Sequence, residues 1–139
     1  MKDNLKKNII ERYSRQIVLK NVGVAGQKKI INSKVLVVGA GGLGCPVIDT
    51  LSRAGVGTIG IADHDKVSLS NIHRQNLYNS EDVGKFKVDV VKKKIKSINK
   101  YIKLIKFKKK ITEKNIFKIF KDYEIIVDGS DNFNTKFLL

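Results

Sequence analysis

The sequence has little cysteine, proline, tryptophan or arginine. Its 139 residues include one cysteine, one proline and no tryptophan. A single cysteine excludes an intramolecular disulfide framework and a zinc site built only from cysteines of this chain. No segment approaches the roughly 18 consecutive apolar residues that a membrane-spanning helix needs, and the opening MKDNLKK lacks the apolar core of a secretory signal. We therefore expect a soluble, cytoplasmic protein without a membrane partner.

Lysine supplies most of the charge. Lysine and arginine together number 28 against 13 acidic residues, which gives a formal net charge of +15, while 42% of residues are apolar. That apolar content excludes a disordered polyelectrolyte. The lysines are spread along the chain, which favours solvated faces over a nucleic-acid surface, where arginine and aromatic residues would be concentrated. The four arginines are therefore of interest, because only arginine offers a planar, bidentate fork: Arg12, Arg15, Arg53 and Arg74.

Strand and helix patterns alternate along the chain. Runs of β-branched and apolar residues indicate buried strands, and apolar residues at helical spacing indicate the helices between them. Helices are predicted over 4–18, 24–31, 41–54, 84–99 and 112–120, and strands over 35–38, 58–62, 102–107 and 125–127. This alternation with short connections predicts an α/β, Rossmann-like, doubly wound and mostly parallel sheet. We expect an N-terminal helical segment over 1–33 and a Rossmann-like domain over 34–139, incomplete at its C-terminus.

The last predicted strand and helix leave apolar residues without a covering element. In the common strand order 3-2-1-4 the fourth strand is internal, flanked by later strands. A final helix, predicted to begin near Asn132, would present Phe133, Phe137, Leu138 and Leu139 with nothing left to pack on. We expect the fold to be truncated after the fourth strand, as the N-terminal portion of a longer one. The alternative is that a partner chain covers this edge.

A glycine-rich segment follows the first predicted strand. The residues GAGGLG at 39–44 match the pattern G-x-G-x-x-G at the start of a helix. Glycines allow the backbone to approach a phosphate, and the helix N-terminus supplies N–H donors. Asp63 ends the second strand 19 residues after Gly44, where a carboxylate can bond ribose hydroxyls. The pattern predicts a mononucleotide or dinucleotide site without distinguishing ATP from NAD.

A long polar loop over 64–83 favours ATP over NAD as the bound nucleotide. It offers Asn71, Arg74 and Gln75, and Lys87 opens the next predicted helix. An arginine beside a glycine-rich phosphate site suits a triphosphate whose leaving group must be stabilised. The alternative is a polar surface loop with an incidental arginine. The chain contains no G-x-x-x-x-G-K-[ST], which excludes a P-loop ATPase.

Six motifs together resemble one family. In order, they are RYSRQI at 12–17, GAGGLG at 39–44, DHD at 63–65, SNIHRQ at 70–75, VGKFK at 83–87 and DGSDN at 128–132. Over about residues 10–139 the sequence resembles the ThiF/MoeB/HesA family, the bacterial relatives of ubiquitin-activating enzymes. The order and number of the motifs make this resemblance far more specific than the glycines alone.

The resemblance implies a nucleotidyltransferase that uses ATP and Mg²⁺. It would adenylate the C-terminal glycine of a small β-grasp, ubiquitin-like sulfur-carrier protein for thiamine or molybdopterin synthesis, and would act as a homodimer. The implied nucleotide-binding residues are Gly39, Gly41, Gly42, Gly44, Asp63, Asp65, Ser70, Asn71, Arg74, Lys87, Ser130 and Asp131. The implied catalytic residues are Arg15, Arg74, Lys87 and Asp131. Among these, Asp131 would be the Mg²⁺ ligand, and Arg15 would reach the ATP of the partner subunit.

Some family features are missing from the chain. Complete members carry a pair of CxxC zinc motifs, and many carry a catalytic cysteine on a later loop. None of these is present here, and Cys45 does not match that cysteine, so we expect it to pack near the sheet. His64 and His73 lack metal-ligand spacing. The alternative function is a non-catalytic nucleotide-binding or dimerisation module, a degenerate homologue or subunit of the superfamily, and the truncated chain can be inactive alone. A nicotinamide-binding fragment and a tRNA-modifying relative are weaker alternatives.

Overall fold

The computed structural model describes residues 5–131 as helices packed on a four-stranded sheet. In chain order the elements are α1 (Lys7–Arg12), α2 (Ser14–Ile17), α3 (Gly23–Asn32), β1 (Lys34–Val38), α4 (Gly44–Ala54), β2 (Thr58–Ala62), α5 (Lys87–Ile98), β3 (Lys103–Phe107), α6 (Ile116–Phe120) and β4 (Ile125–Asp128). Short 3₁₀ turns lie at Leu69–Asn71 and Ser80–Asp82. No helix within the described range is long and apolar enough to cross a membrane.

The sheet is parallel throughout and has the order β3-β2-β1-β4. Val37, on β1, pairs with Ile61 of β2 on one side and with Val127 of β4 on the other. A central position explains why β1 and β2 are continuous apolar runs, because parallel strands of this kind are covered on both faces. The predicted Rossmann-like α/β fold is confirmed.

Helices cover both faces of the sheet. Val35 and Val37 pack with Ile48 of α4 and with Val88, Val91 and Ile95 of α5 in one cluster. Leu36 and Val38 point the other way, because side chains alternate along a strand, and pack with Ile111 and with Ile119 of α6. The predicted apolar face of α5 is therefore confirmed as part of the larger core.

The two edges of the sheet differ. β3 forms one edge, as its alternating lysines predict, and β4 forms the other edge among residues 5–131. Ile125, the first residue of β4, is 53% exposed. The helix predicted from Asn132, with its apolar residues, lies outside the described range.

The single helix predicted over 4–18 is wrong. It is two short helices, α1 and α2, that meet at Tyr13, where φ is −106° and ψ is 16°. Tyr13 is 2% exposed, and a Cβ added at Gly55 would lie 2.4 Å from its ring. Its hydroxyl accepts a hydrogen bond from Nδ2 of Asn99 at 2.8 Å. The helix is interrupted where this side chain turns into the core.

Three other predicted helices begin later than expected. α4 begins at Gly44 rather than at residue 41, which leaves the glycine segment as a loop while Pro46 stays in the first turn. α5 begins at Lys87 and α6 at Ile116. Thr112, the first residue of the helix predicted over 112–120, does not directly precede α6. Instead its carbonyl accepts hydrogen bonds from the N–H groups of residues 115 and 116.

Side chains of the N-terminal helices bind the last carbonyls of α4 and α5. Gln16 and Gln27 both donate to the carbonyl of Ala54, at 3.4 and 3.0 Å, and Arg12 donates to the carbonyl of Ile98 at 3.1 Å. The last carbonyls of a helix have no partner within the helix, so these bonds satisfy them. The N-terminal helices are thereby held at the end of the sheet where β2 and β3 begin. The proposed boundary between 1–33 and 34–139 stays a prediction.

Candidate functional site

A cleft of about 760 Å³ lies beyond the carboxyl ends of all four strands. Ligands of open α/β sheets bind at this edge. Ten of the predicted site residues line it: Gly39, Gly41, Gly42, Asp63, Asp65, Asn71, Arg74, Lys87, Ser130 and Asp131. Arg15, Gly44 and Ser70 do not. Residues that are separated by more than 90 positions in sequence therefore share one concave surface.

Gly39 and Gly44 hold the glycine loop against the sheet. Gly39 has φ of +92°, and a Cβ on it would lie 2.7 Å from the carbonyl oxygen of Gly129. A Cβ on Gly44 would lie 1.9 Å from the carbonyl oxygen of Gly39. Gly44 is also buried beneath the loop. Because Gly44 has no side chain, α4 can pack closely against the loop. Gly44 does not line the cleft.

Gly41 and Gly42 leave open space in the cleft. A Cβ on Gly41 would come no nearer than 3.7 Å to Nε2 of Gln75, and one on Gly42 no nearer than 3.7 Å to Nε of Arg74. Within residues 5–131, the N–H groups of Gly41, Gly42 and Leu43 make no backbone hydrogen bond. Such N–H groups just before a helix form a natural anion site.

Asp63 ties the end of β2 to two loops. Its Oδ2 accepts a hydrogen bond from the N–H of Ala40 at 2.7 Å, and its Oδ1 accepts one from the N–H of Asp65 at 2.7 Å. The residue is 8% exposed. Because both oxygens receive backbone donors, the carboxylate is fixed in place at the wall of the cleft.

A buried lysine lies beside Asp65. The Lys87 side chain is 7% exposed, and its Nζ lies 3.3 Å from Oδ2 of Asp65. Burial of an amine is costly without a partner, so Asp65 keeps this charge in the cleft. His64 also approaches Asp65, with 3.4 Å between Nε2 and Oδ1.

Arg74 lies over Gly42. Its Nη1 donates to the carbonyl oxygen of Ser70 at 3.0 Å, so Ser70 positions the guanidinium although it does not itself line the cleft. Oδ1 of Asn71 accepts the N–H of Ser68 at 3.4 Å, which closes the turn that begins this segment. The turn therefore directs Arg74 back over the glycine loop.

Ser130 and Asp131 form the β4 side of the cleft. The N–H and the hydroxyl of Ser130 both donate to Oδ1 of Asp128, at 2.9 and 2.6 Å. This turn brings the exposed Asp131 to the cleft. Asp63, His64 and Asp65 also bring ligand atoms within 4.8 Å of one another. In that group, Asp63 already accepts two backbone N–H groups and Asp65 pairs with Lys87.

Some residues that line the cleft were not assigned a role from sequence, among them Lys66, Ser68, Gln75, Lys109, Lys110 and Ile111. Residues 109–111 follow the carboxyl end of β3, which is the signal that could have identified them. Lys109 and Lys110 are hard to single out from sequence because lysine is frequent along the whole chain. Gln75 was noted in the loop but was not assigned to the site.

Cys45 is buried beneath the cleft. Its Sγ donates to the carbonyl oxygen of Ala40 at 3.3 Å, and the Tyr78 hydroxyl donates to the same oxygen at 2.7 Å. Burial raises the pKa of the Cys45 thiol above its usual value, and burial likewise raises the pKa of Tyr78. The expectation that Cys45 packs near the sheet is confirmed.

We expect native Cys45 to resist iodoacetamide near pH 7.5. A raised pKa leaves less thiolate at that pH, and the thiolate is the reactive form. Peptide mass spectrometry would measure labelling at Cys45 before and after unfolding in guanidinium chloride, with strong labelling only in the unfolded sample. Rapid labelling of the native protein would contradict this burial.

Several known proteins have similar sequences. The ThiF family matches residues 13–139. The chain is 42% identical over 133 residues to a sulfur carrier protein adenylyltransferase of Thermus thermophilus, covering 96% of this chain and 49% of that protein. It is 47% identical over 135 residues to the adenylyltransferase and sulfurtransferase MOCS3 of Culex quinquefasciatus, covering 97% and 31%. The chain thus spans half or less of these relatives.

A solved structure is also similar. The crystal structure of Escherichia coli MccB with ATP matches with a TM-score of 0.78 and 30% identity, over 88% of this chain and 38% of that one. The match to the family runs through the glycine loop, the Asp63 strand end and the Arg74 turn that meet at the cleft. On these grounds the chain belongs to the ThiF family.

Proposed function

We propose that the protein is an ATP-dependent adenylyltransferase that activates the C-terminal glycine carboxylate of a small ubiquitin-like sulfur-carrier protein, and that this chain supplies its nucleotide-binding part. The observation that carries the proposal is that Arg74 and Lys87 line the same cleft as the open glycine loop, with Asp63 fixed at its wall. The name of the relative at 42% identity, a sulfur carrier protein adenylyltransferase, supports the choice of substrate, and the name of the relative at 47% identity supports adenylyl transfer.

The cleft suggests how ATP would lie. Asp63 would accept hydrogen bonds from the ribose hydroxyls, as a carboxylate at this strand end does in nucleotide-binding sheets. The N–H groups of Gly41 and Gly42 would bind phosphate oxygens, and Gly39 gives the loop its shape. Asn71, Ser70 and Ser130 would order the loops around the triphosphate, with Asp65 holding Lys87 in position.

The chemistry requires charge stabilisation more than proton transfer. A carboxylate oxygen of the carrier attacks the α-phosphorus, the bond from that phosphorus to the bridging oxygen breaks, and pyrophosphate leaves with the electron pair. No general base is needed because the nucleophile is already an anion. Arg74 and Lys87 would offset the negative charge that develops on the phosphoryl oxygens, which lowers the barrier if they bind the transition state more strongly than the ground state.

Asp131 is the proposed Mg²⁺ ligand. The donor set fits this ion, since Mg²⁺ commonly takes one or two carboxylates together with substrate phosphates and water, and Asp131 is an exposed carboxylate at the cleft. When bound, Mg²⁺ would supply neutralisation of charge on the leaving pyrophosphate.

Arg15 is proposed to act in a homodimer. It is exposed on α2, at the end of the sheet away from its own cleft, so it is better placed to reach a partner's ATP. Val18 and Leu19 beside it are 73% and 54% exposed. Exposed apolar residues of this kind fit a subunit interface.

Carrier-dependent exchange of labelled pyrophosphate into ATP tests this function. The protein expressed from its complete reading frame should catalyse exchange with a sulfur carrier that ends in its native glycine, and should not do so with a carrier that lacks this glycine, because the carboxylate is then misplaced. If ATP binds but no carrier supports exchange, the alternative of a non-catalytic nucleotide-binding module replaces the proposal.

A further inference from the structure

Gln75 is a buried polar residue at the floor of the cleft. It is 2% exposed, yet it lines the cleft. Its Oε1 has no hydrogen-bond partner within residues 5–131. Its Nε2 is the atom that a Cβ on Gly41 would meet, at 3.7 Å. The NH₂ end of this carboxamide therefore faces the glycine loop.

A carboxamide in this state costs free energy. Burial of a polar group without a partner is unfavourable. A phosphate cannot satisfy the Oε1 acceptor, but it can satisfy the Nε2 donor, which makes no hydrogen bond within residues 5–131. The backbone of Gln75 is well ordered by contrast, since its N–H donates to Asn71 at 3.0 Å and its carbonyl accepts from Tyr78 at 3.1 Å. The side chain makes no hydrogen bond of its own to any residue from 5 to 131.

The position relative to Arg74 indicates the ligand. Arg74 lies over Gly42, and the next residue, Gln75, lies against Gly41. Consecutive residues of the loop therefore face consecutive glycines whose N–H groups make no backbone hydrogen bond within residues 5–131. Phosphate oxygens accept hydrogen bonds and do not donate, so the NH₂ group is the end of a carboxamide that can bind them.

We propose that Gln75 is a further nucleotide-binding residue, whose Nε2 donates a hydrogen bond to a phosphate oxygen held at Gly41. This inference rests on the proposed function, because it requires a nucleotide in the cleft. The buried amide supplies directional donation without adding charge, whereas Arg74 supplies the charge. A phosphate contact of this kind should matter for every nucleotide that carries a phosphate and should not matter for the nucleoside.

The test uses Gln75→Met and Gln75→Glu in the protein expressed from its complete reading frame. Calorimetry would measure the dissociation constants of ATP, AMP and adenosine, and thermal unfolding of the free protein would be followed in parallel. Gln75→Met keeps the approximate size of the side chain and removes the donor, and Gln75→Glu replaces the donor with a charged acceptor. Gln27→Met is the matched control, since the Gln27 amide is also buried, also has an Oε1 without a partner within residues 5–131, and binds Ala54 far from the cleft.

We expect Gln75→Met to weaken ATP and AMP binding about tenfold, as loss of a hydrogen bond to a charged group would do. Adenosine binding should change by less than about twofold, and the free protein should melt at the same or a higher temperature, because an unsatisfied group has been removed. Gln75→Glu should weaken AMP binding further, since a carboxylate would face the phosphate. Gln27→Met should leave all three dissociation constants unchanged.

Three results would overturn the inference. If Gln75→Met bound ATP and AMP as the wild type does, the contact would not exist while the proposed function would stand. If the variant failed to fold, or if it bound adenosine and ATP equally more weakly and melted at a lower temperature, Gln75 would be a structural residue. If the wild-type protein bound no ATP, the proposed function and this inference would fall together.

Discussion

Replacing Arg74 with alanine is expected to lower carrier-dependent ATP–pyrophosphate exchange about a thousandfold, the lower range for an arginine that stabilises phosphoryl-transfer charge. The guanidinium is held over Gly42 by the carbonyl of Ser70. Alanine removes this charge from the site of reaction. Arg74 is exposed, so the fold should be retained, and the circular dichroism spectrum should match that of the wild type.

Two variants make the Arg74 result specific. Arg53→Ala removes another exposed arginine, whose only ion pair within residues 5–131 is with Asp49 on α4, and it should leave exchange unchanged. Arg74→Lys keeps the charge and loses the planar fork, so its exchange rate should lie between those of Arg74→Ala and the wild type. Undiminished exchange in Arg74→Ala would refute the catalytic role of Arg74.

Gly44→Ala is expected to lower the free energy of unfolding by about 4 kcal/mol or more, an effect typical of severe buried clashes. Its Cβ would lie 1.9 Å from the carbonyl oxygen of Gly39 and 2.8 Å from the carbonyl carbon. Both atoms are backbone at the end of β1, so no side chain can move aside. Urea denaturation followed by circular dichroism would measure the loss.

Gly42→Ala is the matched control for Gly44. Its Cβ would meet only the Arg74 side chain, at 3.7 to 3.9 Å, so the variant should fold with nearly wild-type stability. It should nevertheless bind ATP poorly, because the methyl group fills space that a phosphate needs. A Gly44→Ala protein as stable as the wild type would contradict the close packing, and normal ATP binding by Gly42→Ala would contradict the phosphate site.

The sequence predicts the sheet and the location of the cleft well. The apolar runs of β1 and β2 follow from burial on both faces, and the polar residues after each strand follow from the rule that ligands bind at carboxyl ends. The glycine pattern cannot separate Gly42, which leaves room in the cleft, from Gly44, which packs against a carbonyl. That difference depends on what a Cβ would meet in three dimensions.

Other features depend on contacts that are distant in sequence. The break at Tyr13 arises because its hydroxyl binds Asn99, 86 residues away, and because its ring fills the space beside Gly55. The spacing of apolar residues along the sequence does not predict a contact of this kind. The lack of a partner for the Gln75 carboxamide within the described range, residues 5–131, likewise cannot be read from the sequence, because it depends on the folded arrangement.

The attachment of the N-terminal helices has a consequence for the order in which the chain folds. α1 and α2 span six and four residues, too short to be stable as isolated helices. The groups that hold them, the carbonyls of Ala54 and Ile98 and the side chain of Asn99, exist in position only after α4 and α5 have formed. We therefore expect α1 and α2 to become ordered only after α4 and α5 have formed, and Arg15, on α2, to become ordered with them.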